Sequence, residues 1–287
     1  MSRWLILGAG GMLGQDLVTV LADEGEDVAG LPHQELDITD GRAVRMAVRG
    51  RRPDVVVNCA AWTNVDGAEV QETEALRINR GGAANVAAAC AAVGSRLVQV
   101  STDYVFSGDA RRPYAEDDLT GPRTSYGRSK LAGELAVRET LPGASYVVRT
   151  AWLYGAHGPN FVRTMIRLER ERPAVDVVDD QRGQPTWTAD VARQIAALIR
   201  SRGAPGVYHA TSSGEATWFD LAREVFRLIG ADPDRVRATT SAAFPRPAPR
   251  PAYSVLGGDA WARAGVKPIG DWRSALQQAF PLIAATA

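Results

Sequence analysis

Tyr126-Gly127-Arg128-Ser129-Lys130 sets a phenol and an ammonium four residues apart. On a helix that spacing puts the two side chains on one face, about one turn apart. A positive charge there favours phenolate and lowers a tyrosine pKa from about 10 towards working pH. A phenol so tuned can give a proton to a carbonyl oxygen while hydride arrives at the carbonyl carbon. The alternative is coincidence, but with seven tyrosines and two lysines in 287 residues a chance pair at this spacing is rare. Lys130 and Lys267 stand among 33 basic residues, the others all arginine, so this lysine does not read as surface filler.

Two further segments carry polar chemistry. Gly8, Gly11 and Gly14 form G-x-x-G-x-x-G directly after a short apolar run, Trp4 to Leu7. Glycine at those points permits a tight turn and lets backbone amides approach a pyrophosphate at a helix N-terminus. The alternative is a glycine-rich turn with no ligand. Ser101-Thr102-Asp103-Tyr104-Val105-Phe106 closes another apolar run. Taken alone, such a run is a turn cap; paired with Tyr126 and Lys130, Thr102 becomes a third catalytic group that hydrogen-bonds the reacting carbonyl or the tyrosine oxygen.

Which dinucleotide would bind is left open. An acid ending the second strand would bond both ribose hydroxyls and favour NAD. That strand ends Gly30-Leu31-Pro32-His33, with neither an acid nor an arginine at its tip. Asp37-Ile38 is better placed to border the adenine. NADPH and NADH both remain open, with NADPH the preferred of the two.

The elements that must position these groups alternate. Strands are expected at Trp4–Leu7, Asp27–Leu31, Val55–Val57, Leu97–Phe106 and Tyr146–Val148. Helices are expected over 12–21, 41–51, 83–93 and 126–139, the Ala-rich third one stopping at Gly94. Continuous apolar strands separated by helices imply a doubly wound parallel α/β sheet of Rossmann type, covered on both faces. Residues 1–155 are read as the dinucleotide-binding domain. Residues 156–287 are read mainly as a smaller substrate-binding lobe, with some strands free to return to the sheet. Helices fit 161–170, 188–200 and 218–229, short strands fit 175–178 and 207–209, and Phe244 to Pro251 is too proline-dense for regular structure.

Composition removes other classes. Thirty-three basic and 33 acidic side chains give no net charge, hence no electrostatic case for nucleic acid or an anionic membrane. No apolar run approaches the ~20 residues of a membrane span, and the first glycine comes too soon for a signal-peptide core. Cys59 and Cys90 read as buried free thiols, and His33, His157 and His209 fall in no metal-ligand spacing. These features describe a cytoplasmic protein without a zinc site.

The constellation resembles the extended short-chain dehydrogenase/reductase superfamily, which works on nucleotide sugars, and within it the dTDP-4-dehydrorhamnose reductase family. The resemblance runs through Gly8 to Gly14, Pro53 to Asn58, Thr63-Asn64-Val65-Asp66 with Ala68-Glu69, Ser101 to Phe106, and Tyr126-Gly127 with Ser129 to Glu134. It continues through Arg149 to Tyr154, Gly183 to Thr186, and Arg250-Pro251 with Ser254, and so covers most of the chain.

The resemblance implies NAD(P)H-dependent reduction of the C4 ketone of dTDP-4-dehydro-6-deoxy-L-mannose to dTDP-L-rhamnose, by a monomer or homodimer. It implies Thr102, Tyr126 and Lys130 as the catalytic set. Gly8, Gly11, Met12, Leu13, Asp37, Ile38, Ala60, Ala61, Trp62 and Thr63 would line the cofactor with Tyr126 and Lys130. Thr102, Asp103, Tyr104 and Trp152 would meet the sugar, with Thr63 and Val65 nearby; for Trp152 the alternative is core packing. Arg250 would hold the diphosphate bidentately. Related dehydratases place an Asp-Glu pair after the threonine, whereas Asp103 is followed here by Tyr104, which favours plain carbonyl reduction. Some members dimerise through a magnesium site built of glutamates. Asp16 and Ala189 stand at those positions, so neither that metal nor that dimer is carried over. The rival readings are a 4-ketoreductase for another dTDP-deoxysugar, an epimerase, and a non-catalytic nucleotide-binding or regulatory subunit.

Overall fold

The computed structural model describes residues 1–286. Strands β1 (Arg3–Leu7), β2 (Asp27–Leu31), β3 (Val55–Asn58), β4 (Arg96–Thr102) and β5 (Ser145–Thr150) alternate with helices α1 (Met12–Asp23), α2 (Gly41–Arg51), α3 (Val65–Val70), α4 (Glu72–Leu76), α5 (Ala83–Val93) and α6 (Ser125–Thr140). A sixth strand, Gly206–His209, returns from the C-terminal half and pairs parallel with β5. The order across the sheet is Gly206–His209, β5, β4, β3, β1, β2. This is the expected doubly wound parallel Rossmann sheet, with a smaller C-terminal region beside it.

Strand alternation explains why both faces are covered. Trp4 and Ile6 of β1 pack with Leu17, Leu21, Ile195 and Leu198 on one side. Leu5 and Leu7 pack with Val44, Val48, Val86 and Cys90 on the other. Each such fully buried side chain contributes about 1.5–3 kcal/mol. Helix ends follow local chemistry. Asp40 caps α2 by accepting from the amides of Arg42 and Ala43. Thr124 caps α6 by accepting from Gly127, and α5 stops at Gly94, whose φ is +75°.

Two departures from the sequence reading bear on the site. The expected strand Leu97–Phe106 ends at Thr102, and Asp103–Val105 forms a 3-10 turn. The cause is the Thr102 hydroxyl, which accepts from the Tyr104 amide at 3.3 Å and turns the chain. In addition α3 and α4 were not anticipated, and α4 runs through a π-helical stretch, Arg77–Gly82, into α5. The same holds for a C-terminal helix, Trp272–Ala284, which packs its Trp272 and Leu276 into the apolar centre of the smaller region. Phe244 to Pro251 has no helix or strand, as its prolines require. Among the described residues no helix is long and apolar enough to cross a membrane.

Candidate active site

Parallel pairing brings the carboxyl ends of the strands to one edge: Leu7 lies beside Leu31 and Asn58, and Thr102 beside Thr150. A cavity of about 1550 Å³ opens there. Thr102, Tyr126 and Lys130 come together in its lining from β4 and α6, each less than one-tenth exposed. Tyr104 stands edge-on to Tyr126, ring centroids 5.6 Å apart. Asp103 is buried with Thr102 donating to it at 2.9 Å. Burial lifts the Asp103 carboxyl to about 6, against the opposing influence of Ser254 and Thr102.

The expected lowering of the Tyr126 pKa is not what the structure gives. Burial pushes the phenol well above its ordinary value, with the Thr102 hydroxyl opposing and the Asp103 charge adding to the rise. The Lys130 ammonium donates instead to the Val100 carbonyl at 2.7 Å. Burial lowers Lys130 to about 8, with Glu134 and Cys59 holding it up. Desolvation thus outweighs the pairing inferred from the i, i+4 spacing, and Tyr126 keeps its proton. A protonated phenol is the form that can give a proton to a developing alkoxide.

The glycine turn forms a further wall. Gly8 has φ +74°, and a Cβ there would lie 2.6 Å from the Ala60 amide nitrogen. A Cβ on Gly14 would lie 2.4 Å from the Gly8 carbonyl oxygen, so only glycine lets α1 start this close to β1. Gly11 opens α1 with no side-chain cap, and Met12 and Leu13 line the cavity. A helix N-terminus left uncapped beside a glycine cradle fits a dinucleotide pyrophosphate. Asp37, Ile38, Ala60, Ala61, Trp62 and Thr63 line the same cavity. His33 and Gln34 follow β2 there, and no acid stands among its lining residues at the tip of that strand.

Val65, Tyr104, Trp152 and Arg250 line the same cavity. Trp152 has φ +47°, a conformation rare for a bulky residue. Its ring stacks on Trp218 at 3.6 Å and 5°. Arg250 is paired in the structure with the Asp66 carboxylate, at 2.9 and 2.8 Å.

Sequence reasoning missed several residues of this site. Asn79, in the π-helical stretch, accepts from the Trp62 amide at 2.8 Å and donates to Ser129 Oγ at 2.8 Å. It ties the cavity loop to α6, and a lone asparagine in a helical pattern gives no sign of that. Trp218 was placed on a helix but not in the site, because stacking on a distant tryptophan leaves no periodic signal. Arg77 donates to Thr39 at 2.5 Å beside Asp37 and lines the cavity.

At the positions considered for magnesium, Asp16 has His157 Nε2 at 3.7 Å, and Ala189 is buried in the helix Thr188–Ser201. Among the described residues no three His, Cys, Asp or Glu side chains gather as a metal site. Cys59 and Cys90 are free thiols, each pushed up to about 12 by burial.

Comparison with known proteins agrees with this geometry. The RmlD substrate binding domain family matches residues 2–284. A dTDP-4-keto-6-deoxy-D-glucose reductase of Streptomyces niveus is 57% identical over 98% of this chain and 97% of its own. A dTDP-4-dehydrorhamnose reductase of Streptomyces griseus is 56% identical over 98% and 94%. The solved structure of dTDP-4-dehydrorhamnose reductase from Bacillus anthracis in complex with NADP is 39% identical, covers 98% of this chain and 99% of its own, and superposes with a TM-score of 0.94. With a glycine cradle and a buried Thr-Tyr-Lys set beside these matches over nearly the whole length, the chain belongs to the dTDP-4-dehydrorhamnose reductase family of extended short-chain dehydrogenases/reductases.

Proposed function

We propose that this chain reduces the C4 ketone of dTDP-4-dehydro-6-deoxy-L-mannose to dTDP-L-rhamnose, with NADPH preferred over NADH. The coarser activity, NAD(P)H-dependent reduction of a dTDP-linked 4-keto sugar, goes with membership of the family. The observation that carries the reading is the convergence of Thr102, Tyr126 and Lys130 on the cavity that the glycine turn enters. The change from Asp-Glu to Asp103-Tyr104 supports plain reduction, because no second carboxylate follows the threonine to serve in eliminating water.

Tyr126 holds the proton and gives it to the C4 oxygen. Thr102 orients that carbonyl by hydrogen bonding, and Lys130 keeps a positive charge beside the reacting centre and holds the nicotinamide ribose. Gly8, Gly11, Met12 and Leu13 hold the pyrophosphate, while Asp37, Ile38 and the loop Ala60–Thr63 flank the adenosine and ribose. When bound, the reduced nicotinamide supplies the hydride for the carbonyl carbon. Asp103, Tyr104, Val65 and Trp152 bound the sugar, and Arg250 meets its diphosphate. The bonds and burial that fix these side chains give the preorganisation on which such catalysis depends.

The preference for NADPH is supported by the lack of an acid at the tip of β2 and by the NADP held by the Bacillus anthracis relative. A second reading, reduction of another dTDP-deoxysugar, is favoured by the Streptomyces niveus relative, whose name carries a D-sugar. Absorbance at the reduced-nicotinamide band tests both. Purified protein is mixed with dTDP-4-dehydrorhamnose or dTDP-4-keto-6-deoxy-D-glucose, each with NADPH and with NADH. The expected result is fast oxidation of NADPH with the first substrate, yielding dTDP-L-rhamnose. Turnover of the D-sugar alone would replace the first reading with the second.

A further inference from the structure

Residues 244–251 read Phe-Pro-Arg-Pro-Ala-Pro-Arg-Pro. Alternate prolines remove every second amide donor and stiffen the chain in an extended form. Such a segment cannot attach itself to the body through a backbone ladder. Its two ends are fixed. Before it, Ser241 donates to the Asp180 carboxylate from its amide at 2.8 Å and its hydroxyl at 2.7 Å. After it, the Tyr253 amide donates to the Gly108 carbonyl at 3.0 Å. Between these ends, a single carboxylate holds residues 245–251 to the rest of the molecule by hydrogen bonds, among the described residues.

That carboxylate is Asp66, in the first turn of α3. It accepts from the Ala248 amide at 3.2 Å, from Arg250 Nη1 at 2.9 Å and from Arg250 Nη2 at 2.8 Å. Arg250 Nη1 also donates to the Ala248 carbonyl at 2.9 Å, which closes the ring. Asp66, Arg246, Ala248 and Arg250 all line the cavity.

A guanidinium has five N–H donors. Asp66 and Ala248 occupy three of those on Arg250, which leaves the Nε–H and one Nη2–H. Arg246 adds a second guanidinium at the same wall, with no ion-pair partner among the described residues. Partial burial pushes the Asp66 carboxyl up. The Arg250 and Ala248 bonds and the Arg246 charge more than offset this and hold it below the usual carboxylate range. With side chains 23% and 28% exposed, the pair adds little to stability. What it does supply is a fixed direction for a planar fork.

We propose that Asp66 is a positioning residue for the nucleotide sugar: it pins the proline strap along the cavity and aims the spare donors of Arg250 at the substrate diphosphate. This rests on reading the substrate as a diphosphate-linked sugar. The role differs from that of a competing anion, since Asp66 shares Arg250 with the diphosphate and does not give it up.

The test measures binding of dTDP, of thymidine and of NADPH to the full-length parent, Asp66→Asn, Arg250→Lys and the double variant. Asp66→Asn should weaken dTDP about tenfold, since a charge-assisted fork is lost. Thymidine and NADPH, which do not use Arg250, should bind within about twofold of the parent. Arg250→Lys keeps the charge without the fork and should weaken dTDP to a similar extent. Adding Asp66→Asn to Arg250→Lys should then change little.

Unchanged or tighter dTDP binding in Asp66→Asn would overturn the proposal, and so would a full Asp66→Asn effect in the Arg250→Lys background. Equal losses of thymidine and dTDP would also overturn it, as general damage to the site. Failure of the parent to bind dTDP at all would remove the substrate reading itself, a result distinct from the others.

Discussion

The two walls of the cleft are built by different means. Thr102, Tyr126 and Lys130 stand on β4 and α6, elements locked by backbone hydrogen bonds, and all three side chains are buried. The other wall, proposed to face the sugar, carries Trp152 and residues 244–251 outside helix and strand. Trp152 sits at positive φ, its ring held flat against Trp218, and the proline strap hangs on side-chain bonds. A left-handed conformation at a tryptophan costs about 1–3 kcal/mol and persists only where its surroundings enforce it. Gly183 makes room for that indole, since a Cβ there would lie 2.5 Å from it. The contrast teaches where each property is stored. Reacting groups need placement within tenths of an ångström, which regular elements provide. On the proposed function, substrate choice would sit on segments that can change residue by residue without disturbing the sheet. Relatives with nearly equal identity to this chain, yet named for different sugars, fit that division.

Three experiments test this division between the walls. The largest effect is expected on the regular wall. Tyr126→Phe should lower kcat by about 10²–10⁴-fold, the usual worth of a positioned acid, with NADPH affinity retained. Near-normal turnover in that variant would remove Tyr126 from its role. A smaller effect should appear in the pH profile. Burial lowers Lys130 to about 8, so its ammonium is present below that pH and lost above it. The rate should therefore fall by about tenfold per pH unit once pH rises through about 8. A profile flat to pH 10 would show that the Lys130 charge is not needed. The smallest change belongs to the sugar wall. Trp218→Ala removes the stacking partner of Trp152 and should raise KM for the sugar nucleotide about three- to tenfold. Its pH profile should match the parent's, and a shifted profile would mean that the two walls are coupled.

Much of the regular wall was legible in the sequence because its signals are local. Val55-Val56-Val57, the glycine turn and the Tyr126–Lys130 spacing each declare themselves within a few residues. The 3-10 turn at Asp103–Val105 was not legible, because a single hydroxyl–amide bond from Thr102 decides it after an apolar run that could have continued. The phenol's electrostatics were misjudged for a related reason. Helical spacing reports which side chains share a face, whereas the Tyr126 proton answers to burial by strands and loops distant in sequence. Arg250 was recognised as a diphosphate-facing candidate, but its bond to Asp66 spans 184 positions, and no short-range pattern encodes it.

The sixth strand carries a consequence for how this molecule is made. Gly206–His209 completes the sheet only after the chain has left β5 and passed through Phe161–Glu171 and Thr188–Ser201. On the ribosome the outer edge of β5 therefore stays bare, its amides and carbonyls unpaired, until residue 209 has emerged. A bare edge is a template for another strand, including that of a neighbouring nascent chain. The same order of synthesis means that a fragment ending after β5 exposes this edge permanently, so the first half of the chain would be expected to aggregate when expressed alone.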